Sequence, residues 1–391
     1  MKLEIGWRKK ITSAILVGAL LLPCIASADM SERELRLKAL EKKYESLSDK
    51  VSFLDRFSFK GDFRLRHHSD FYDENNATTT DASNRHRQRL RLRLGGKIHI
   101  NKQVDIGFRL VTGGTDPLSS NQTFQDFFST KGLQLDRAFA SFKNGPYQLI
   151  GGKFAVPFMK TEVIWDGDLS VEGAAEKYTR KMGQTQVDLI LGQFVLEEHN
   201  PESNAPNLFA YQAVVSQKFG GGVKAKLALG YFDFNALRGN TNADFGLNAS
   251  GNTVVNNAYA FNFDLLDFIG EVSFDPGIPV KVFGEWVTNT ADDVQKDTAW
   301  QLGFKVGKKV KEFGDWQFKY LYKVVESDAV LGAISDSDFH GGGTNSKGSE
   351  INLKLGLMKG VNASVSYFST EQETGSQDEH DIFQVDLIFK F

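Results

Sequence analysis

Arginine occupies every second position in parts of the sequence. Seven arginines on two stretches follow this spacing: Arg64, Arg66, Arg85, Arg87, Arg89, Arg91 and Arg93. Because side chains two positions apart lie on one face of a β-strand, each run of arginines would share a face. A guanidinium group stays charged and holds a carboxylate or a phosphate through two parallel hydrogen bonds. The spacing predicts a basic wall that binds or steers anions; the alternative is a wall neutralised by carboxylates that mainly braces loops.

A second stretch, residues 156–171, combines carboxylates with a tryptophan. The candidate residues in it are Glu162, Trp165, Asp166 and Asp168. Carboxylates held opposite a row of arginines would set up an electric field that aligns polar solutes and disfavours apolar ones. The alternative is that Asp166 and Asp168 cap backbone N–H groups of a turn. A calcium site is disfavoured, because the twelve-residue spacing of such a loop is absent.

Sequence signals for catalysis are absent. The seven histidines are scattered, and neither an HExxH pattern nor a serine-nucleophile motif is present. The single cysteine, Cys24, lies in an N-terminal segment that is expected to be removed, so no cysteine-ligated metal site is expected. We therefore expect a protein that is not an enzyme and that binds neither a cofactor nor a metal. A net charge of −3 also argues against a nucleic-acid binder.

The segments that carry these residues alternate between polar and apolar side chains. Between residues 85 and 100, leucine and isoleucine fill one face while arginine and lysine fill the other. A face with several arginines cannot pack into a dry core, since buried unpaired charge is costly, and the apolar face is equally unsuited to water. Lipid outside and a water-filled interior satisfy both faces. The mean hydropathy of −0.30 and the lack of a long apolar run exclude a helical membrane protein.

This alternation recurs along the chain and predicts an all-β transmembrane fold, a 16-stranded antiparallel β-barrel, with 14 or 18 strands as alternatives. The predicted strands are 57–67, 86–100, 103–113, 132–143, 147–155, 172–180, 185–195, 207–219, 223–234, 258–275, 279–288, 299–308, 316–330, 348–358, 361–369 and 381–391. Short turns alternate with long loops rich in Asn, Asp, Ser, Thr and Gly, which is typical of outer-membrane barrels. The fourth, sixth and tenth strands are the least regular. In the fourth, Arg137 shares a face with Leu135 and Phe139, and the tenth is long enough to hold a β-bulge.

Aromatic residues fall mainly on the apolar face, near the strand ends, where they suit the interfacial girdles of a barrel. Few lie on the polar face, with Phe232 and Phe368 as the exceptions. We therefore do not expect a track of aromatic rings for carbohydrates inside the barrel.

The first 56 residues are predicted to lie outside the barrel. Residues 1–28 combine a basic start, a short apolar run and a small-x-small site, as in a secretory signal peptide. Residues 29–56 have apolar residues at alternating spacings of three and four, which is typical of a helical coiled-coil segment. This seam consists of Leu37, Leu40, Tyr44, Leu47, Val51 and Leu54. We expect a periplasmic helix that drives oligomerisation into a trimer; the alternative is a single helix that packs on the base of the barrel or plugs it.

Apolar residues alternate up to the last residue of the chain. They are Phe383, Val385, Leu387, Phe389 and Phe391. A closing strand needs the alternation but not a terminal aromatic residue. We therefore interpret this strand as an insertion signal for the machinery that assembles outer-membrane barrels.

Three stretches resemble a known family: NRHRQRLRLRLG at 84–95, GGKFAVPF at 151–158 and WDGDLSVEG at 165–173. Together with the N-terminal heptads and the terminal phenylalanine, they make the chain similar to the "putative porin" family of Gram-negative outer-membrane proteins. More distantly, the chain is similar to general and phosphate-selective porins. The resemblance covers essentially the whole chain after the signal peptide.

The resemblance implies a homotrimer of 16-stranded barrels in outer-membrane lipid. It implies passive diffusion of small hydrophilic solutes and a third long loop that folds inward and narrows the pore. Two other functions stay open on the same barrel. One is a channel that prefers anions or phosphate, and the other is a plugged, non-conducting barrel with a structural or adhesive role.

Overall fold

The structure is a computed structural model that describes residues 27–72, 84–198, 205–240, 249–376 and 378–391. The chain divides into two units, with the boundary between Arg56 and Phe57. In the first unit, helix α1 spans Ser27–Leu54. The predicted signal peptide lies outside the described residues except for its last two positions, which begin α1. None of the helices in the described part of the chain combines the length and the apolar character that crossing a membrane requires.

The predicted coiled-coil seam is exposed on α1. Its six residues range in exposure from 52 % for Leu47 to 73 % for Tyr44. Such a row of apolar residues is stable in water only when another surface covers it. The helix therefore presents an apolar stripe that its own unit leaves uncovered.

The second unit is a closed antiparallel β-barrel of sixteen strands, as the sequence predicts. The strands are β1 (Phe57–Tyr72), β2 (Arg85–His99), β3 (Val104–Thr112), β4 (Leu133–Asn144), β5 (Tyr147–Ala155), β6 (Ser170–Met182), β7 (Thr185–Val195), β8 (Asn207–Lys218), β9 (Lys224–Asn235), β10 (Phe263–Phe274), β11 (Val280–Asn289), β12 (Thr298–Gly307), β13 (Trp316–Val325), β14 (Ser346–Met358), β15 (Val361–Gln372) and β16 (Glu379–Lys390). Each strand pairs with its neighbours in the chain, and β1 pairs with β16 to close the ring. The two-residue strands Gln122–Thr123, Val254–Val255 and Ala258–Tyr259 lie in loops.

Closure of the ring involves the last residue of the chain. The backbone N–H of Phe391 donates to Gly61 O at 3.1 Å, and the N–H of Gly61 donates to Phe391 O at 2.7 Å. Gly61 leaves room for the terminal ring, because a Cβ at this position would lie 2.6 Å from it. The neighbouring rings of Phe63 and Phe389 are 5.9 Å apart between centroids. The apolar rows of β1 and β16 therefore share the outer face of the barrel.

The irregularity in β4 is a β-bulge. Asp136 is an extra residue between Leu135 and Arg137, and Arg137 pairs with Arg109 of β3. The side chains of Asp136 and Arg137 both contact Ser170. The bulge therefore turns two consecutive side chains to the inner face, which explains why strict alternation fails here.

Three predicted strand boundaries differ from the structure by five residues each, and the others differ by three or fewer. The first strand continues to Tyr72 rather than ending at residue 67. The tenth begins at Phe263 rather than 258, because Ala258–Tyr259 pair with Val254–Val255 inside a loop instead. The thirteenth ends at Val325 rather than 330, since the chain then turns into the barrel. The pairing of β10 with its neighbours is continuous, so the bulge considered for this strand does not occur.

Several long loops fold into the barrel. They are L2 (residues 113–132), L3 (156–169), the described parts of L5 (236–240 and 249–262) and L7 (326–345), numbered by their order among the long connections between strands. Ile164 of L3 and Ala329 and Val330 of L7 are fully buried. They belong to an apolar cluster that L3, L5 and L7 form with inner-face residues of the wall. One side of the barrel interior is therefore filled by protein.

Candidate functional site

The space left inside the barrel is strongly basic. A cavity of about 1180 Å³, called here the central cavity, is lined by fourteen Lys and Arg residues and eight Asp and Glu residues, an excess of six positive charges. The basic residues are Lys60, Arg64, Arg66, Arg91, Arg93, Arg109, Arg137, Lys160, Lys226, Lys281, Lys305, Lys319, Lys354 and Lys390; the acidic ones are Asp62, Glu162, Asp168, Glu271, Asp336, Asp338, Glu350 and Asp386. The whole chain has a net charge of −3. Positive charge is thus concentrated around the cavity.

The predicted arginine wall faces the inside of the barrel but is divided between two spaces. Four of its members line the central cavity: Arg64, Arg66, Arg91 and Arg93. The other three line a separate space of about 440 Å³, called here the outer pocket: Arg85, Arg87 and Arg89. The outer pocket lies at the end of β1 and β2 where the long loops attach. The wall therefore extends from the loop end of the barrel into its interior.

Two further arginines extend the wall beyond the predicted set. Arg109 of β3 and Arg137 of β4 line the central cavity beside the arginines of β2. Arg109 also pairs with Asp136 of the β4 bulge. Sequence reasoning missed both because each is a single arginine in its strand. The register of β3 and β4, which reveals their position, was not available from alternation alone.

L3 reaches this wall through one carboxylate. Asp168 accepts from Arg93 at 2.9 Å and from Arg91 at 3.5 Å. Asp62 of β1 binds the same two guanidinium groups, at 2.8 Å and 2.9 Å. Burial alone would raise the pKa of Asp168, but Arg91 and Arg93 outweigh it and hold the pKa below its ordinary value. Asp168 is therefore bound to the wall rather than placed across the cavity from it.

L2 and L7 also contact the wall. Arg64 donates to the side-chain oxygen of Asn121 in L2 at 2.6 Å. Arg66 lies 3.3 Å from Asp338 of L7 and 2.7 Å from Asp386 of β16. The arginines near the middle of the barrel thus hold three different loops. Part of the wall has the bracing role that the sequence left open.

The three arginines of the outer pocket differ in their contacts with the residues that the structure describes. Arg87 pairs with Asp70 at 2.7 Å, and the same carboxylate contacts His68 and His380. Arg85 and Arg89 form no ion pair with the residues that the structure describes. Both line the outer pocket at the loop end of the barrel.

The other candidate residues of L3 take different positions. Glu162, like Asp168, lines the central cavity, whereas Trp165 and Asp166 are 2 % and 4 % exposed and do not. The Asp166 carboxylate accepts from the N–H of Asp168 at 2.6 Å and from the N–H of Ser337 in L7 at 2.9 Å. Burial raises the pKa of Asp166 to about 7, although these two donors oppose the rise. Asp166 thus accepts from backbone N–H groups, which is the alternative that the sequence left open, and Trp165 is buried beside it rather than lining the cavity.

Aromatic residues on the inner face anchor L3. The Trp165 ring lies 5.4 Å from Phe232 and 6.2 Å from Phe234, and it stacks on Phe158 at 6.0 Å. Phe194 of β7 completes the contact with Phe158. The expectation of few aromatic residues on the polar face is therefore wrong for this side of the barrel. The rings are covered by L3 and form a packed core rather than a track for solutes.

Glu162 faces the lysines of the far wall. Lys323 donates to the backbone oxygen of Glu162 at 3.3 Å and to Asp336 at 2.7 Å. Burial alone would raise the pKa of Glu162, but the charges of Lys319 and Lys323 outweigh it and lower the pKa. L3 thus sends one carboxylate to the arginines and another toward the lysines.

Known proteins share this architecture. A family model described as "Putative porin" matches residues 78–266 and 265–391. A search of curated proteins gives no match. Among solved structures, the chain is similar to Pseudomonas putida OprB at high pH, with 13 % identity and a TM-score of 0.57 over 88 % of this chain and 96 % of that chain. It is similar to the anion-selective porin from Comamonas acidovorans, with 12 % identity and a TM-score of 0.52 over 86 % and 99 %. A third similar structure is Salmonella typhi OmpF in complex with daunomycin, with 13 % identity and a TM-score of 0.51 over 86 % and 97 %.

The structural likenesses establish the fold, and the family model establishes the family, because its match covers well over half of the chain. A closed barrel with a charged, water-accessible interior is the structure that such a family requires. The chain belongs to the porin family described as "Putative porin" and forms an outer-membrane channel for passive diffusion.

Proposed function

We propose that the channel prefers anionic solutes. The observation that carries this proposal is the excess of six positive charges around the central cavity in a chain of net charge −3. A permeating anion gains favourable electrostatic energy along such a wall, whereas a cation is repelled. Arg85 and Arg89, which form no ion pair within the described part of the chain, add a first contact for anions in the outer pocket. A porin of this fold can be anion-selective, as the Comamonas acidovorans protein is described.

The test is the zero-current potential of the purified protein in a planar bilayer under a KCl gradient. Potassium and chloride move at similar rates in water, so the sign of the potential reports the preference of the channel. We expect the sign of an anion-preferring channel. A cation-preferring sign would overturn the proposal. A folded barrel that passes no current would instead favour the plugged, structural alternative.

We propose that L3 and L7 form the constriction of this channel. Glu162 and Asp168 of L3 and Asp338 of L7 all line the central cavity. Trp165 and Asp166 act as positioning residues, because they fix L3 against the wall and against L7. Deleting residues 158–167 should raise the single-channel conductance, and an unchanged conductance would show that L3 does not narrow the path.

We also propose that residues 29–56 form a periplasmic coiled coil that joins three copies of the chain after removal of residues 1–28. The exposed apolar stripe of α1 supports this, because a heptad seam is buried when helices associate. Replacing Leu40 and Leu47 by Asp should weaken the trimer in cross-linking of the full chain. The matched change Lys42→Asp, away from the seam, should leave it intact. Equal cross-linking of both variants would exclude the coil as the trimer contact.

The C-terminal row is proposed to act as the insertion signal. Its support is the position of Phe391 at the closing seam, next to Gly61. Removing Phe391 should lower the amount of barrel in the outer membrane of cells while detergent refolding still yields some folded barrel. Unchanged assembly in cells would contradict this role.

A further inference from the structure

A row of buried polar side chains, called here the polar row, crosses the inner wall of the barrel. Its members are each at most 4 % exposed. They are Gln212 of β8, Asp267 of β10, Glu285 of β11, Gln301 of β12 and Lys323 of β13. Gln301 lies directly opposite Glu285 on one side and Lys323 on the other. Asp267 lies diagonally across from Glu285, because it pairs with Val287 two positions further along β11.

The two ends of the polar row hold L3. Gln212 accepts from the backbone N–H of Met159 and donates to its carbonyl oxygen, both at 2.7 Å. Lys323 donates to the backbone oxygen of Glu162 at 3.3 Å and to Asp336 of L7 at 2.7 Å. L3 is therefore tied to the wall at two points of the row.

The middle of the polar row lacks such partners. The carboxyl groups of Asp267 and Glu285 lie within hydrogen-bond distance of each other. Among the described residues, no donor reaches Asp267 Oδ1, Glu285 Oε2 or Gln301 Oε1, although all three oxygens are buried. Buried polar atoms normally have a partner, and a buried carboxylate without one costs free energy. Since Cβ atoms directly opposite each other are about 5 Å apart, the Gln301 amide can reach the same point as Glu285.

The nearest cationic side chains are engaged elsewhere. Lys160 of L3 and Lys323 act electrostatically on Glu285, but within the described part of the chain neither forms an ion pair with it. Lys160 donates to the backbone oxygen of Asp166 at 2.5 Å, and Lys323 is paired with Asp336. The two carboxylates therefore need a positive charge that these lysines do not supply.

Apolar packing closes off the carboxylate pair on two sides. Leu265 and Val287 belong to the cluster that L3, L5 and L7 form with the wall. On the other side, Ile269 belongs to a small cluster against which Met159 of L3 packs. Gln301 also lines the central cavity, so water and a small ion can reach the pair past its side chain. The surroundings are thus dry except at one opening.

We infer that Asp267, Glu285 and Gln301 bind a hard divalent cation such as Ca²⁺ beneath L3. Two carboxylates supply two negative charges, and carboxylate and amide oxygens are ligands that Ca²⁺ takes. Water from the central cavity would complete its usual ~6–8 ligands. The bound cation would fix the middle of the polar row, as its ends are already fixed.

The site differs from the metal sites that a sequence reveals. In the residues that the structure describes, no three His, Cys, Asp or Glu side chains come together as metal ligands, so the amide oxygen of Gln301 is needed as the third ligand. The three ligands also come from three strands, which explains why the sequence predicts no metal. The inference does not depend on the ion preference of the channel.

The test is calcium binding to the full chain, refolded in detergent that is free of lipopolysaccharide, since lipopolysaccharide itself binds divalent cations. Titration calorimetry should give one Ca²⁺ per chain. Thermal unfolding should shift to higher temperature in Ca²⁺ than in EDTA, and the shift should saturate, because a ligand that binds only the folded state stabilises it. Sodium chloride at the same ionic strength should not reproduce the shift.

Two variants remove ligands in different ways. Asp267→Asn with Glu285→Gln removes both charges at nearly constant volume. This variant should lose the calcium response and should unfold in EDTA at no lower a temperature than the original chain, because its buried charges are gone. Gln301→Leu keeps both carboxylates and should raise the dissociation constant for Ca²⁺ about tenfold or more.

Glu271→Gln is the matched control, because it neutralises another carboxylate of β10, one that pairs with Lys281 at 2.7 Å. It should keep the full calcium response. A response that is absent, that sodium chloride reproduces, or that survives the double change would overturn the site and indicate a pair that shares a proton. If the double variant does not fold, Gln301→Leu decides, and unchanged affinity in it would overturn the site. None of these results alters the sign of the zero-current potential, so the proposed anion preference is tested separately.

Discussion

Neutralising part of the arginine wall should shift the channel toward cations. The perturbation is the triple change Arg87→Gln, Arg89→Gln and Arg91→Gln. Arg89 forms no ion pair with the described residues, so its loss removes one free charge. Arg87 and Arg91 pair with Asp70 and Asp62 at 2.7 and 2.9 Å, so their loss also releases carboxylates. All three changes therefore lower the positive potential along one path.

The size of the shift follows from Coulomb's law. A unit charge ~8 Å from a permeating ion in water contributes ~0.5 kcal/mol, and salt at physiological strength reduces this by about half or more. Three such charges together contribute ~0.5–1 kcal/mol to the energy of an anion. The same amount, with opposite sign, applies to a cation. Since ~1.4 kcal/mol corresponds to a factor of ten, the anion-to-cation permeability ratio should fall about five- to thirtyfold.

The assay is the zero-current potential under a KCl gradient, with folding checked by the shift of the unheated barrel on electrophoresis. A matched control replaces Arg36, Arg56 and Arg180 by Gln, which changes the net charge equally but touches neither the central cavity nor the outer pocket. The control should keep the selectivity of the original channel. An unchanged ratio in the folded wall variant would refute the reasoning and show that ions do not pass along these arginines.

Three further outcomes follow from single contacts. Because burial raises the pKa of Asp166 from 3.8 to about 7, the folded barrel holds a proton there that the unfolded chain releases. Stability should therefore fall between about pH 4 and pH 7, and Asp166→Asn should reduce that slope in thermal unfolding; identical slopes would contradict it. Gly61→Val should lower the yield of folded barrel in a refolding assay, because a Cβ at this position would clash with the backbone oxygen of Arg93 and with the Phe391 ring. Gly114→Ala, where a Cβ meets open space, should not lower it. Trp165→Ala should destabilise the packing of L3 by about 3–5 kcal/mol and so increase the noise of the open-channel current. If the current of the variant is as quiet as that of the original channel, other contacts hold L3.

The barrel was predictable because its two environments impose a strict period. Each strand separates lipid from water, so a polar side chain on the lipid face or an apolar side chain on the water face costs free energy. The resulting alternation can be recognised from the sequence alone. The ends of the strands were predicted less accurately where the adjoining loops fold into the barrel. Ala329 and Val330 look like strand residues because they are apolar, but they are buried inside the barrel rather than turned to lipid. The sequence cannot distinguish these two apolar environments.

The site was predictable only where one strand carried several charges. The arginines of β2 can be recognised because they recur at every second position. The placement of Arg109 and Arg137 on the inner face depends instead on the strand register and on the bulge at Asp136. The lysines that line the central cavity were missed for the same reason, since Lys281, Lys305, Lys319 and Lys354 each come from a different strand. The packed position of Trp165 was not predictable, because an aromatic residue in a polar loop can face either the solute or the wall. Only the rings of Phe232 and Phe234 beneath it decide between the two.

The two spaces inside the barrel differ in their balance of charge. The outer pocket has three arginines and three aspartates, Arg85, Arg87, Arg89, Asp70, Asp116 and Asp338, whereas the central cavity has the excess of six positive charges. Fixed charge concentrated toward one end of a pore makes the number of mobile ions inside depend on the direction of the applied voltage. The channel should therefore behave as a weak diode, passing more current at one polarity than at the other. Transport through a passive pore would then be easier in one direction under a membrane potential, without any moving part.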